Sequence, residues 1–374
     1  MKKKISVIVL FIFILVFPMI SWPIFAKIDN TKLEENREPT PFPKINNDFF
    51  LNFDDFFMDR IPIRNSVIKF TTNTDLKLDM FYEKILNLFD VEYYITKNNV
   101  IYGQKDWLFY TGDNSIGYYR GNNLLSEDEL KKYVMRAEKV KNYFESKGKK
   151  FVIFIAPNKE QIYHEYMPKG IKVVNEIKRM DVVKTYFEQN SKVNLIYPKQ
   201  VLLDAKTNDN RLYYKWDTHW NQLGAYYGVC ELLKSIGEEV TPTEFTSQVV
   251  VGNKDLQNML AIDFGEHLEY FCDYRKDINY EIFGDYYYST TKSNNPNNKK
   301  LLFIGDSFKT LMLNYLPKDF TYTTFAHRSI VRNSFDLTEI NNSDIIAIEA
   351  VERFDYEVFN DNGILQFLID YYKL

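Results

Sequence analysis

The chain has 374 residues, 45% of them hydrophobic, enough to bury one large core or two small ones. Its 47 basic and 51 acidic residues leave a net charge of -4, without the excess of positive charge that nucleic-acid binding requires. Two cysteines and four histidines stand at no metal-ligand spacing, and no cofactor motif is present, so neither a metal nor a cofactor is expected.

Lys2, Lys3 and Lys4 precede a mostly apolar run over residues 5–26, long enough to cross a bilayer as one helix. A cleaved signal peptide has a shorter apolar core, roughly 7–15 residues, and a small-x-small cleavage site. Ile24-Phe25-Ala26 is a poor match, so residues 1–26 are expected to be an uncleaved anchor, with Pro18 and Pro23 weakening the helix and leaving cleavage open. Basic residues ahead of the span put the chain in the cell membrane as a single-pass protein whose body lies outside the cytoplasm. Polar, proline-bearing residues 31–43 form a stalk, and the apolar spacing of 48–98 predicts helices. Residues 27–98 are thus a stalk and helical preface to a body over 99–374.

In the body, Ser126 and Glu129 form a capping box for a helix through Leu130, Tyr133, Val134, Ala137, Val140 and Phe144, stopped by Gly148. Strands are predicted at 151–156, 193–197, 301–304, 320–325 and 345–348, with helices between most of them. This alternation predicts an α/β fold: a mostly parallel sheet with helices on both faces and a site at the strands' C-terminal ends. Asn158, Ser307 and Glu349 fall at such ends. Arg353, just beyond, either contacts substrate or holds the last turn. Residues 238–292 fit the alternation poorly and are expected to be an insertion over the site. Residues 293–298, Ser-Asn-Asn-Pro-Asn-Asn, read as a loop. Cys230 and Cys272 either pair or, for Cys230 on the apolar face of a helix, remain a buried thiol.

Two motifs carry chemistry. Residues 211–215 read as extended chain, in which positions two apart point the same way, so Asp217 and His219 can lie side by side. A carboxylate there fixes the imidazole tautomer and stabilises imidazolium. Asn221 then caps a helix carrying Leu223, Tyr226, Tyr227, Cys230 and Leu233, with Gly237 past its end. Downstream, an apolar strand runs into Gly305-Asp306-Ser307, and residues 308–316 have helical spacing. That places Ser307 at a helix N-terminus, where unpaired N–H groups favour an oxyanion. Read alone, the same residues are also consistent with simple helix caps and a satisfied structural histidine.

Asp217-Thr218-His219-Trp220 with the distant Gly305-Asp306-Ser307-Phe308 resembles the SGNH-hydrolase-like domain of the alginate O-acetyltransferase J/X type, whose relatives include the DHHW proteins. Further segments match in order: Glu35 to Glu38 with Pro41 to Lys44, Phe56 to Arg60, Ala156 to Tyr163, Asp255 to Leu260 and Val351 to Arg353. Gly103 to Phe109 also fits the family's Gly-Lys-Asp-Gly-Trp-Leu-Phe motif, but lacks the Gly between Asp106 and Trp107.

The resemblance implies an SGNH-like (flavodoxin-like) fold and a two-step acyl transfer. Ser307 would be the nucleophile, His219 the base and then acid, and Asp217 its orienting partner. The acceptor would be a hydroxyl of an extracytoplasmic polysaccharide, with acetyl delivered by a membrane-bound O-acyltransferase partner. No Gly-x-Asn-Asp stretch completes the usual oxyanion hole. The Ser307 N–H is one donor, and Asn158 either supplies the second or caps the following helix. The 238–292 insertion, with Tyr286, Tyr287 and Tyr288, would shape acceptor choice. A secreted carbohydrate esterase uses the same three residues, and a non-catalytic glycan-binding assembly protein is the third reading.

Overall fold

The computed structural model describes residues 96–374 except 208, 253, 263–264 and 332–337, together with 40–43, 53, 56, 59, 78 and 94. The expected anchor, and most of the stalk and helical preface, lie outside the described residues. No helix among those described is long and apolar enough to cross a membrane.

A seven-stranded sheet forms the centre: β1 (Lys150–Ala156), β2 (Asn194–Ile196), β3 (Tyr280–Gly284), β4 (Tyr288–Ser293), β5 (Lys300–Gly305), β6 (Tyr322–His327) and β7 (Ile345–Val351), in the spatial order β2-β1-β7-β5-β6-β4-β3. The first five in that order are parallel, and β4 and β3 add an antiparallel edge. Strands buried on both faces read as unbroken apolar runs, and all seven residues of β7 are buried.

Alternate side chains serve two cores. Phe151, Ile153, Ile155, Leu302, Ile304, Ile346 and Ile348 pack under helices α1 (Glu127–Ser146), α2 (Arg179–Asn190) and α4 (Ile364–Tyr372). Val152, Phe154, Leu301, Phe303, Ile345 and Ala347 face α3 (Gln222–Ser235). The capping box predicted for α1 is present, with the Glu129 carboxylate accepting from Ser126 N–H at 2.8 Å. The Asn221 cap of α3 is also present, its Oδ1 accepting from Gly224 N–H at 3.0 Å.

Counted from β5 to the C-terminus and then on from β1, the parallel strands lie in the order 2-1-3-4-5, the flavodoxin-like arrangement. In true chain order they lie 2-1-5-3-4, a circular permutation of it. The switch point, where connections depart in opposite directions, falls between β5 and β7. Ligand crevices of open α/β sheets lie outside the carboxyl ends of the strands at such a point.

Two sequence expectations change. Residues 238–292 are not one insertion: Thr246–Val251 pairs with Glu266–Phe271 as an arm holding the helix Asp255–Leu260, whereas β3 and the start of β4 extend the central sheet. The helix expected over 308–316 is broken into Lys309–Met312 and Leu316–Asp319, because Pro317 can open a helix but not continue one. The asparagine-rich loop before β5 is a ladder of side-chain turns, with Asn295 and Asn297 each accepting from the backbone N–H two residues on at 3.0 Å. Cys230 and Cys272 are free thiols.

Candidate active site

Asp217 and His219 lie on a turn closed by an antiparallel bridge between Tyr213 and Trp220, rather than on extended chain. Asp217 Oδ1 accepts the His219 backbone N–H at 2.9 Å, the local bond by which an Asp forms a turn. The same oxygen lies 2.6 Å from His219 Nδ1, and on the other side of the ring Nε2 lies 2.7 Å from Ser307 Oγ. Asp217 is buried, while the His219 side chain is 25% exposed, so the hydroxyl end of the chain of bonds is open to a reactant.

The Gly305-Asp306-Ser307 turn is pinned by its own aspartate. One Asp306 oxygen accepts Phe308 N–H at 2.9 Å and the other accepts Val351 N–H at 2.8 Å, joining the end of β5 to the end of β7. Glu349, fully buried on β7, accepts Asp306 N–H at 2.9 Å. Its carboxylate lies over Gly305, where a Cβ would meet Glu349 Oε2 at 2.3 Å, so any side chain at 305 would have to displace Glu349. The helix that follows, Lys309–Met312, is a single turn, so its dipole is small.

Asn158 follows β1 and is buried, and its side chain makes no helix-cap bond. Its Oδ1 accepts from Arg353 Nη1 at 3.2 Å, which turns Nδ2 away, buried and without a partner among the described residues. An orphaned buried donor costs free energy unless a ligand completes it. The Arg353 guanidinium packs over the rings of Phe308, Tyr110 and Phe354. It therefore fixes the Asn158 side chain and flanks the turn that carries Ser307.

Three residues unassigned from sequence complete the surroundings. Lys159 is buried and spends its three ammonium protons on the carbonyls of Leu108, Lys215 and Asp217 at 2.6, 2.9 and 2.8 Å. Burial pushes it down to about 7, opposed by the charges of Asp217 and Asp255. Asp255, from the arm, accepts both the N–H and hydroxyl of Thr218. Glu349 is the third. The run Asn158-Lys159-Glu160-Gln161, four buried polar residues after an apolar strand, held a signal that the sequence reading used only for Asn158. Further bonds tie each loop to the next: Trp220 Nε1 donates to Phe308 O at 3.1 Å, Tyr213 Oη to Pro157 O at 2.7 Å, and Asn158 N to Glu352 Oε2 at 3.0 Å.

Charges follow from this packing. Burial acts to raise Asp217, but the His219 ring charge and its two hydrogen bonds outweigh it and hold the carboxyl well below the ordinary range. Burial acts to lower His219, and Asp217 beside it raises the imidazole above its ordinary value. Asp217, His219 and Asp255 offer ligand atoms within 4.8 Å of one another. A cation needs such atoms about 2.0–2.2 Å from itself and hence roughly 3 Å or more apart. The 2.6 Å Nδ1 to Oδ1 contact is a hydrogen bond and leaves no space for one.

A family model described as "SGNH hydrolase-like domain, acetyltransferase AlgX" matches residues 100–317, a stretch that contains Asn158, Asp217, His219 and Ser307. No curated protein matches the chain in sequence. Among solved structures, a DHHW family protein from Eubacterium siraeum superposes with a TM-score of 0.50 at 14% identity, over 72% of this chain and 97% of that one. PatB1 of Bacillus cereus superposes with a TM-score of 0.51 at 15% identity, over 70% of this chain and 96% of that one. At such identities the two structures speak for the fold alone. The family match spans more than half of the 374 residues and both motifs, and the chain belongs to the AlgX-type SGNH hydrolase-like acetyltransferase family.

Proposed function

We propose that the protein is an O-acetyltransferase that carries acetyl on Ser307 and passes it to a hydroxyl of an extracytoplasmic polysaccharide. The observation that carries this reading is the continuous chain Asp217–His219–Ser307, with contacts of 2.6 and 2.7 Å. In the first step Ser307 Oγ attacks the acetyl carbonyl of a donor ester as its proton passes to His219 Nε2. The carbonyl electrons move to oxygen, and the Ser307 N–H and Asn158 Nδ2 stabilise that charge. Collapse breaks the bond to the donor, whose oxygen takes the proton back from His219. In the second step a sugar hydroxyl loses its proton to His219, attacks acetyl-Ser307, and the Ser307 oxygen leaves as the hydroxyl. Asp217 keeps its charge throughout and stabilises the imidazolium.

The family supports acetyl as the group carried. The donor route we propose is a membrane-bound O-acyltransferase partner, with residues 1–26 anchoring the body beside it outside the cytoplasm. For the acceptor we propose the rim formed by Tyr286 and Tyr287. Both side chains are about half exposed, and Lys309, two residues beyond Ser307, donates from Nζ to Tyr286 O at 2.9 Å. Exposed aromatic faces suit stacking on sugar rings.

The test supplies an activated acetyl ester with an oligosaccharide and measures acetylated sugar against free acetate. Sugar acetylation that is lost in Ser307→Ala is the expected result. Release of free acetate alone would replace transfer with hydrolysis. Unchanged acceptor choice in Tyr286→Ala and Tyr287→Ala would remove the rim from the account.

A further inference from the structure

A serine site of this kind needs one carboxylate on its histidine, and this one has two. Asp255 opens a short helix in the arm, yet its side chain does not serve that helix: Lys254 is the cap, and its N–H is taken by Gln257 Oε1 at 2.8 Å. The Asp255 carboxylate instead turns to the loop of the base. Oδ1 accepts Thr218 N–H at 2.9 Å and Oδ2 accepts the Thr218 hydroxyl at 2.6 Å. That hydroxyl lies 3.1 Å from His219 Nδ1, and Asp255 Oδ2 itself lies 3.6 Å from Nδ1. Asp255 N–H points at the free oxygen of Asp217, 3.4 Å away.

The arm is fastened so that this approach is fixed. Lys254 Nζ pairs with Glu269 at 2.7 Å and lies over the Tyr214 ring, and Tyr214 Oη donates to the other Glu269 oxygen at 2.6 Å. Tyr214 is three residues before Asp217, so these contacts tie the arm to the loop.

We propose that Asp255 is a second acid of the site, a positioning residue that holds His219 through Thr218 and shares with Asp217 the positive charge of the imidazolium. The proposal rests on the reading of His219 as the base. A carboxylate within about 4–6 Å of a histidine favours its charged form. The charged groups around the ring are Asp217, Asp255 and Arg353, with Lys159 behind Asp217. Burial and the neighbouring Asp217 push Asp255 above the ordinary carboxylate range, and the His219 charge opposes them.

The test uses the full chain with Asp255→Asn, which removes the charge and keeps an oxygen for Thr218 N–H. Transfer from an activated acetyl ester, followed as kcat/KM against pH, is expected to fall roughly tenfold or more, with the acidic limb of the profile moved to lower pH. Thr218→Val, which keeps the charge and removes the hydroxyl bridge, should lose rate with that limb in place. An unmoved limb in Asp255→Asn, whatever the loss in rate, would reduce Asp255 to a structural staple and overturn the proposal. Equal movement of the limb in both variants would assign the effect to the hydroxyl and also overturn it. Imidazole NMR titration of His219 in Ser307→Ala, with and without Asp255→Asn, reads the same charge without turnover. A lower His219 pKa there in a protein inactive even with Ser307 would keep the electrostatic claim and discard the acyl-transfer reading.

Discussion

In the proposed mechanism, the 2.7 Å contact between His219 Nε2 and Ser307 Oγ makes the protonation state of one imidazole the switch of the site. A histidine that already holds a proton on both nitrogens cannot accept one from serine. Because Asp217 raises His219 above its ordinary value, activity is expected to fall on acidification through that raised value and to be retained above it. A pH profile of kcat/KM measures this, and full activity maintained well below the ordinary histidine range would contradict it. Asn158 is the second residue whose role can be measured alone. Replacing it by Ala removes the orphaned Nδ2, and a lost oxyanion donor costs about 10²–10³ in kcat with little change in KM. At this scale the sequence was legible wherever chemistry leaves a local trace, as in the Asp-x-His spacing and the Gly-Asp-Ser turn. The role of Asp255 left none, because its partner Thr218 lies 37 positions away and meets it only through the fold.

At the scale of elements, the turn that carries Ser307 depends on the register between β5 and β7. Ile304 pairs with Ile348, which brings Glu349 over Gly305 and lets Asp306 reach Val351 N–H. A methyl at Gly305 would meet that carboxylate. Gly305→Ala is therefore expected to destabilise the protein by about 1–3 kcal/mol, through overpacking, and to reduce acyl transfer with it. A denaturant midpoint equal to wild type would show that Glu349 is free to move aside. The five parallel strands and the caps of α1 and α3 were readable from apolar runs and capping residues. The break after Met312 was not, because the apolar spacing of 308–316 continues across it and only Pro317 marks the stop. The antiparallel edge of β3 and β4 was hidden for a different reason. It carries exposed positions such as Ile282 and Phe283, so its pattern resembles a surface loop more than a buried strand.

For the whole molecule, permutation explains the chain order Asp, His, Ser. Asp217 and His219 precede Ser307 in sequence, yet β5 and β7 still flank the switch point of a flavodoxin-like order and bring Ser307, Asn158 and Arg353 together at the strands' C-terminal ends. Roles in such a site depend on geometry rather than on sequence order. The placement of that crevice against a membrane is a prediction from residues 1–26. Full-length protein is expected in the membrane fraction, resistant to high salt, and a form lacking residues 1–26 in the soluble fraction. Release of the full-length protein by salt alone would contradict an anchor.

The central claim is that acetyl resides on Ser307 between donor and acceptor. Intact-protein mass spectrometry after rapid mixing with an activated acetyl ester, with no sugar present, tests it directly. The account predicts one added acetyl group, mapped by peptide analysis to Ser307, absent in Ser307→Ala and discharged when a sugar acceptor is added. Transfer to sugar that proceeds with no acetyl ever found on Ser307 would contradict it.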